Sequence, residues 1–483
     1  MLITLQLAIS ALVALVAVDW IFLRILKIAK VKGLVDNPDS RKLQKAPVPV
    51  LGGIAVMFGL FAGCLVFMAL HGQAPFQVTQ KLTPVLLSVS VMLYVGSLDD
   101  ILGLSPKTRL IIEMLTMLGL IYGSGICMDS LHGVFGIGDF TWWIAVPLTV
   151  FAGVGLINAY NMVDGVNGLS SGLSISCSCM LGVLSYKRGD YLNAALAFNF
   201  AASLFPFLMH NVFGKRSKMF IGDGGTMVMG LLVSWFTMRV ISSENVDTLV
   251  GLASGSRQLG VVPMMTAIAC VPVFDTLRVM TARIFRGVSP FKPDKTHLHH
   301  VFIAVGVSHS ITALSEIIIN LIVVALWYVS FLMEMSVNVQ LAVVLVSAGV
   351  LVWGMYFYLS RIVKNDKNSW IRTFSVKTHL GHTHWWIKLQ KRLDKGAYED
   401  YTIVLKEQLN KKNEDMTNKE KDTAAIINYL QGKEKVTVED IRKESGVEPM
   451  RIYAILFELE QKDVIEVLER EGLGATHSVK LCE

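Results

Sequence analysis

Four stretches of this 483-residue sequence place carboxylates, amides, glycines and cations where phosphate and divalent-cation chemistry would need them. Asp99-Asp100 directly follows an apolar run ending Tyr94-Val95-Gly96-Ser97-Leu98, with Lys107 and Arg109 close behind. Asn158, Asn161, Asp164 and Asn167 form a second group, in which Asn158 and Asn161 share a helix face at a spacing of three. Gly165 and Gly168 break that helix and expose backbone amides. Oxygens from Asn and Asp suit Mg²⁺, which takes a few protein oxygens plus substrate phosphates. In the third, Gly222-Asp223-Gly224-Gly225-Thr226 opens an apolar run, and a glycine-led helix N-terminus can receive phosphate on its amides. The fourth runs from Asp275 through Arg278, Arg283, Arg286, Lys292 and Lys295 to His297, His299 and His300. Arg and Lys there suit phosphate, and His donates protons or hydrogen bonds.

Each stretch has a plainer alternative. Asp99-Asp100 suits a solvated, helix-capping loop, and Asp223 a helix cap. The Asn/Gly run suits a turn between spans, and the basic stretch an ordinary cytoplasmic loop. Three histidines could also ligate zinc, although no fourth ligand lies nearby in sequence.

The elements that must carry these residues are membrane helices. Hydrophobic residues make up 53% of the chain and charged residues only 17%, with mean hydropathy +0.52. A soluble domain is nearer a quarter charged. Runs of about 20 apolar residues occur near 2–24, 49–71, 80–97, 108–127, 142–161, 167–185, 191–210, 219–240, 258–277, 312–333 and 337–360, predicting about 11 transmembrane helices. The first lacks a preceding basic segment and reads as a span, not a cleaved signal. Loops after odd-numbered runs hold about 17 Lys/Arg and loops after even-numbered runs about 5. The N-terminus is therefore expected outside, and the C-terminus cytoplasmic. All four chemistry-bearing stretches, and Arg41 and Lys42 in the first loop, then fall on the cytoplasmic side. Ionisable groups clustered on one membrane face point to a single functional site. Six cysteines, mostly within apolar runs, form no disulfide framework.

The expected division is a membrane domain over 1–362, a basic juxtamembrane segment and linker over 363–420, and a small cytosolic domain over 421–483. Basic residues with Trp370, Trp385 and Trp386 suit a segment on the membrane surface. The last domain orders its elements as a winged helix. Over 422–483 about 13 acidic residues outnumber about 8 basic ones, so duplex DNA is not its expected partner.

Taken in order, the motifs resemble the polyprenyl-phosphate N-acetylhexosamine-1-phosphate transferases of glycosyltransferase family 4. The match runs from about Asp36 to His300. The Ser289-Pro290-Phe291…His297-Leu298-His299-His300 segment resembles the bacterial GlcNAc-1-phosphate branch. The resemblance implies an all-α polytopic membrane enzyme of the inner membrane. It would move N-acetylhexosamine-1-phosphate from a UDP-sugar to undecaprenyl phosphate, releasing UMP, with Mg²⁺ as cofactor or Mn²⁺ as a substitute. It implies Asp223 and Asn161 as metal ligands, with Asp99, Asp100 and Asp223 as catalytic residues. Asp99 would act on the lipid phosphate. Lys107, Asn158, Asp164, Asn167, Arg278, His297, His299 and His300 would bind substrate, Asn167 at the uracil. Gln44 and Val50 depart from the family's usual His and Arg, Asn167 from a frequent Asp, and Lys295 from an Arg. Expected partners are the UDP-sugar, the prenyl phosphate and the bilayer, with a protein partner or a homodimer allowed and nucleic acid not. Transporter or membrane-sensor roles fit less well: no internal repeat is visible, and the Asp99, Asn161 and Asp223 set is intact.

Overall fold

Apolar runs fold as helices in lipid because the backbone finds no other hydrogen-bond partner there. The computed structural model describes residues 2–37, 44, 47–72, 75–243, 258–290, 294–365, 383–461, 464–471 and 475–482. Arg41, Lys42, residues 291–293 and Trp370 lie outside them. Two compact units result, Met1–Tyr398 and Glu399–Glu483.

The first unit is a helical bundle. Its helices are α1 Leu2–Lys32, α2 Gly52–His71, α3 Pro75–Leu102, α4 Pro106–Ser124, α5 Trp142–Val163, α6 Leu169–Lys187, α7 Tyr191–Phe213 and α8 Gly222–Ile241. After them come α9 Val261–Ile268, α10 Cys270–Phe285, α11 Leu298–Val305, α12 His309–Leu332 and α13 Val337–Ala348. A π-helical segment, Gly349–Gly354, leads into α14 Met355–Asn365. Helix α15, His384–Leu430, follows. A two-residue β pair, β1 Val35–Asp36 with β2 Val48–Pro49, closes the first connection.

Among the described residues nine helices are long and apolar enough to cross a membrane, or ten if the bent pair α9 and α10 is one span. The chain is a multi-pass membrane protein. The expected count of about 11 is not reached, for two reasons. Lys107, Arg109 and Glu113 put three charges into α4. The run near 258–277 is bent by 77° at Ala269 instead of crossing straight.

Helix α8 is the centre of the bundle, with 94% of its apolar window buried. Glycines let its neighbours reach its backbone. A Cβ on Gly96 of α3 would overlap Gly224, one on Gly53 of α2 would lie 2.6 Å from the Gly225 nitrogen, and one on Gly230 would overlap Ile157 of α5. Lipid supplies no hydrophobic drive between helices, so close backbone contact through small residues does much of the packing. This arrangement brings the end of α3, the end of α5 and the start of α8 to one point.

The second unit comprises the end of α15, then β3 Val436–Thr437, α16 Val438–Ser445, α17 Pro449–Gln461, β4 Ile465–Glu471 and β5 Ala475–Leu481. The sheet order is β3-β5-β4, antiparallel. Ile426, Leu430, Ile441, Ile452, Leu456 and Val479 form its core. Thr437 and Asp440 close α16 with a capping box, and Gly446 ends it in the left-handed region.

Candidate functional site

Asp100 joins the ends of α3 and α8. One of its carboxylate oxygens accepts from the Asp223 amide at 2.9 Å and the other from the Gly224 amide at 3.4 Å. These are orphan donors of a helix N-terminus, and a carboxylate there also meets the positive end of the helix dipole. Gly222 sits at φ +75°, and a Cβ there would overlap the Asp100 carboxylate. Glycine is thus required twice over, by dihedral and by space.

Beside this cap, Arg109 links three carboxylates. Its Nη1 lies 3.3 Å from Asp99 and 3.7 Å from Asp223, and its Nε donates to Glu113 at 3.0 Å. Asp99 also accepts from the Leu104 amide at 2.7 Å. Glu113 is fully buried, and its second oxygen accepts from the Asn158 side chain. Asn161 donates to Asp223 at 2.5 Å and to the Thr226 hydroxyl at 2.8 Å. Asp223 keeps 36% of its side chain exposed, so the central carboxylate remains accessible. Ser105 caps α4 with Pro106 following, which leaves Lys107 exposed on the first turn.

The glycine-broken connection between α5 and α6 approaches from another side. Asp164 is exposed and accepts from Ser170. Asn167 is half-buried. Gly168, at φ +82°, donates its amide to Asn211 at 2.8 Å, and Asn211 donates to the Met219 carbonyl at 3.0 Å. That bridge ties the Asn167-Gly168 turn to the segment leading into Asp223.

His299 packs directly on Gly165, where any Cβ would overlap its ring. Its ring lies 5.6 Å from that of His297 and 4.4 Å from that of His300. Burial, then the neighbouring His300 and His297, hold the His299 ring well below the usual imidazole range. Burial and then His297 push His300 down to about 4. Both are therefore neutral near pH 7 and offer hydrogen bonds, not charge. His297 pairs with Asp275 through Nδ1 at 2.7 Å, and Asp275 also accepts from the Leu298 amide. Arg278 is buried, donates to Asp275 and to the Thr296 carbonyl at 2.6 Å each, and stacks 3.5 Å over Tyr356. In this conformation its guanidinium braces the histidine segment.

Asp99, Asp100, Asn158, Asn161 and Asp223 therefore form one hydrogen-bonded and ion-paired constellation. The Gly165–His299 contact and the Asn211 bridge link the Asp164–Gly168 turn to the histidines and to the segment before α8. Lys107 stands at the edge of α4. Sequence reasoning quoted Arg109 without assigning it a role and missed Glu113. A carboxylate four residues after an arginine, inside an apolar run, was the available signal. Sequence reasoning read Arg283 only as one of several phosphate-binding cations, and gave Asp275 and Asp294 no role. Asp275 lies within α10, which extends to Phe285, beyond the loop start expected there. Arg283 is buried, holds Asp294 at 3.0 Å and donates to the Pro290 carbonyl. Partial burial of Asp294 opposes ionisation, but bonds from Arg283 and Thr296 outweigh it and hold that carboxyl below the usual range.

A family model for glycosyl transferase family 4 matches residues 82–241, which contain the α3, α5 and α8 parts of this constellation. Proteins named undecaprenyl-phosphate alpha-N-acetylglucosaminyl 1-phosphate transferase in Yersinia pestis and Escherichia coli strain K12 are similar. Each is 30% identical over 287 residues, 58% of this chain and 72% of theirs. A Bacillus subtilis strain 168 protein, named a probable undecaprenyl-phosphate N-acetylglucosaminyl 1-phosphate transferase, is 30% identical over 318 residues. That span is 66% of this chain and 83% of the Bacillus protein. By this similarity and the shared family segment, the chain belongs to glycosyl transferase family 4.

Proposed function

We propose that the protein transfers N-acetylglucosamine-1-phosphate from UDP-N-acetylglucosamine to undecaprenyl phosphate, releasing UMP, as the first membrane step of a cell-surface glycan. The observation that carries this is the convergence of Asp99, Asp100, Asn161 and Asp223 at one end of α3, α5 and α8, in a chain whose relatives are named for that reaction. An oxygen of the lipid phosphate attacks the sugar-bearing phosphorus, and the bond from that phosphorus to the UMP oxygen breaks. Such transfers depend mainly on positioning and charge neutralisation.

The donor set fits a hard divalent cation. Asp99, Glu113 and Asp223 share one guanidinium, with Asp100 bonded to the Asp223 amide beside them, which leaves excess negative charge, and the available atoms are oxygens. Among the described residues no three His, Cys, Asp or Glu side chains form a metal cage. Mg²⁺ commonly binds through one or two carboxylates and draws its other ligands from water and substrate phosphates. Asp223 and Asn161 would hold Mg²⁺, or Mn²⁺ in its place, where the ion would offset diphosphate charge. Asp100 orients Asp223 through the cap of α8. A phosphate monoester is already largely a dianion at pH 7, so Asp99 positions the acceptor instead of deprotonating it. Exposed Tyr94, Ile101 and Leu102 flank the Asp pair and suit a prenyl chain alongside it. Lys107, the Asn167 turn and the histidine cluster would receive the UDP-sugar.

The Lys/Arg bias of the loops supports an outside N-terminus and a cytoplasmic site, where UDP-sugars are made. The element order and β3-β5-β4 sheet support a winged-helix-like cytosolic module. Exposed Tyr453 and Phe457 on α17, within an acidic module, favour a protein partner over nucleic acid.

The test is purified protein with undecaprenyl phosphate, Mg²⁺ and a panel of radiolabelled UDP-sugars. UDP-N-acetylglucosamine should give a lipid-linked product and UMP. No lipid-linked product from any UDP-N-acetylhexosamine would refute the assignment.

A further inference from the structure

Three consecutive backbone amides, those of Lys215, Arg216 and Ser217, point at one carboxylate from far along the chain. Asp394 accepts from Lys215 at 3.2 Å, Arg216 at 3.0 Å and Ser217 at 2.9 Å, and from the Ser217 hydroxyl at 2.9 Å. Successive amides turned to one side form an anion-binding nest. Here the anion is built into the protein. Ser217 is fully buried at this contact, and Lys30 of α1 donates to the Arg216 carbonyl at 2.8 Å from the other side.

The carboxylate reaches the nest because the start of α15 docks through a helical face. Trp386, Leu389, Gln390, Leu393, Asp394 and Ala397 turn inward at helical spacing, while Lys388, Lys391, Arg392 and Lys395 stay exposed. The Trp386 ring lies 4.5 Å from Phe213, and a Cβ on Gly396 would lie 2.6 Å from the Leu23 side chain.

The gripped turn runs straight into the site. Two residues after Ser217, the Met219 carbonyl accepts from Asn211, whose oxygen accepts from the Gly168 amide. Phe220 then donates to the Pro49 carbonyl at 2.8 Å. The Phe220 and Ile221 carbonyls accept from Gly52 at 2.9 Å and Gly53 at 2.7 Å. Asp223 follows, its amide on Asp100. Every link is a hydrogen bond between short, buried or backbone groups, so a shift at 215–217 has little slack in which to dissipate.

We propose that Asp394 is a positioning residue for the transfer reaction: by clasping the 215–217 turn, it sets where Asp223 and the Gly168 turn stand. The early part of α15 is thereby a working part of the transferase domain, not only a link to the module beyond it. This inference rests on the transferase assignment.

The test uses full-length protein in lipid nanodiscs, wild type against Asp394→Asn and Ser217→Ala. The amide keeps the size of the carboxylate and one acceptor oxygen, but removes the negative charge that the three amides surround and the second oxygen's contact with the Lys215 amide. Asp394→Asn should lower kcat at least 10-fold per folded molecule. It should also raise the Mg²⁺ concentration needed for half-maximal rate, with KM for the UDP-sugar within about 3-fold. Ser217→Ala, which removes one of the bonds, should shift both in the same direction by less. Unchanged kcat and Mg²⁺ dependence in Asp394→Asn, with or without a lowered melting temperature, would reduce the carboxylate to an anchor for the tail and overturn the proposal. Equal losses in kcat and in folded protein would do the same. A wild type inactive with every UDP-sugar would instead refute the transferase assignment and this inference with it.

Discussion

At the scale of single residues, the site concentrates negative charge around an open carboxylate. Asp223 is held by Asn161 on one side and by the more distant Arg109 on the other, yet over a third of its side chain remains accessible. A neutral amide at this position keeps the shape but cannot offset a divalent cation's charge. Asp223→Asn should therefore lower kcat on the order of 100-fold or more, the scale seen when one preorganised electrostatic contact is lost. Turnover measured across a Mg²⁺ titration checks this, and near wild-type rates at ordinary Mg²⁺ would remove Asp223 from the metal site. That the aspartates and asparagines suit one oxygen-rich site was legible in their types and spacing. For Glu113 the one local signal was its place four residues after Arg109 in an apolar run, while its bond to Asn158, 45 positions away, left no trace in the spacing.

At the scale of elements, geometry depends on how closely α3 and α8 approach. Gly96 against Gly224 lets the two backbones touch, and Asp99-Asp100 lies three residues farther along α3. Gly96→Leu would push the helices apart and lift Asp100 from the Asp223 and Gly224 amides. Overpacking a tight interface costs about 1–3 kcal/mol. Loss of the α8 cap adds about 1 kcal/mol. The variant should still insert, but should melt several degrees lower and lose most of its activity per folded molecule. Thermal unfolding in detergent together with kcat separates the two effects, and wild-type kcat would show that this contact does not set the site. Helix existence was legible from apolar run length, but the 77° break between α9 and α10 was not. Hydropathy reports how apolar a run is, not whether it turns at Ala269.

At the scale of the whole molecule, the constellation and the core around Ile426 and Val479 belong to different compact units. The described site residues, and Asp394 with them, lie within Met1–Tyr398. The Ile426–Val479 core belongs to the other unit. Truncation near residue 418 should leave kcat within about 2-fold of wild type in membranes, although abundance or regulation could change. Loss of activity in truncated protein that is inserted and folded would show that the module takes part in the chemistry. With about 13 acidic against about 8 basic residues over 422–483, the isolated module should not bind duplex DNA. Salt-sensitive binding at micromolar concentration would refute that.

The sequence alone determined the class of molecule and the chemistry. Apolar run length demands membrane helices, and oxygen-rich motifs between the runs suit phosphate and a divalent cation whatever the packing. Only the tertiary structure decided which groups act together. Arg109 shared among Asp99, Glu113 and Asp223, His299 seated on Gly165, and Asp394 in the 215–217 nest are contacts between distant positions. They exist because glycine-lined helices pack backbone to backbone around α8. Local spacing carries the period of a helix, but not the identity of the neighbour that helix will touch.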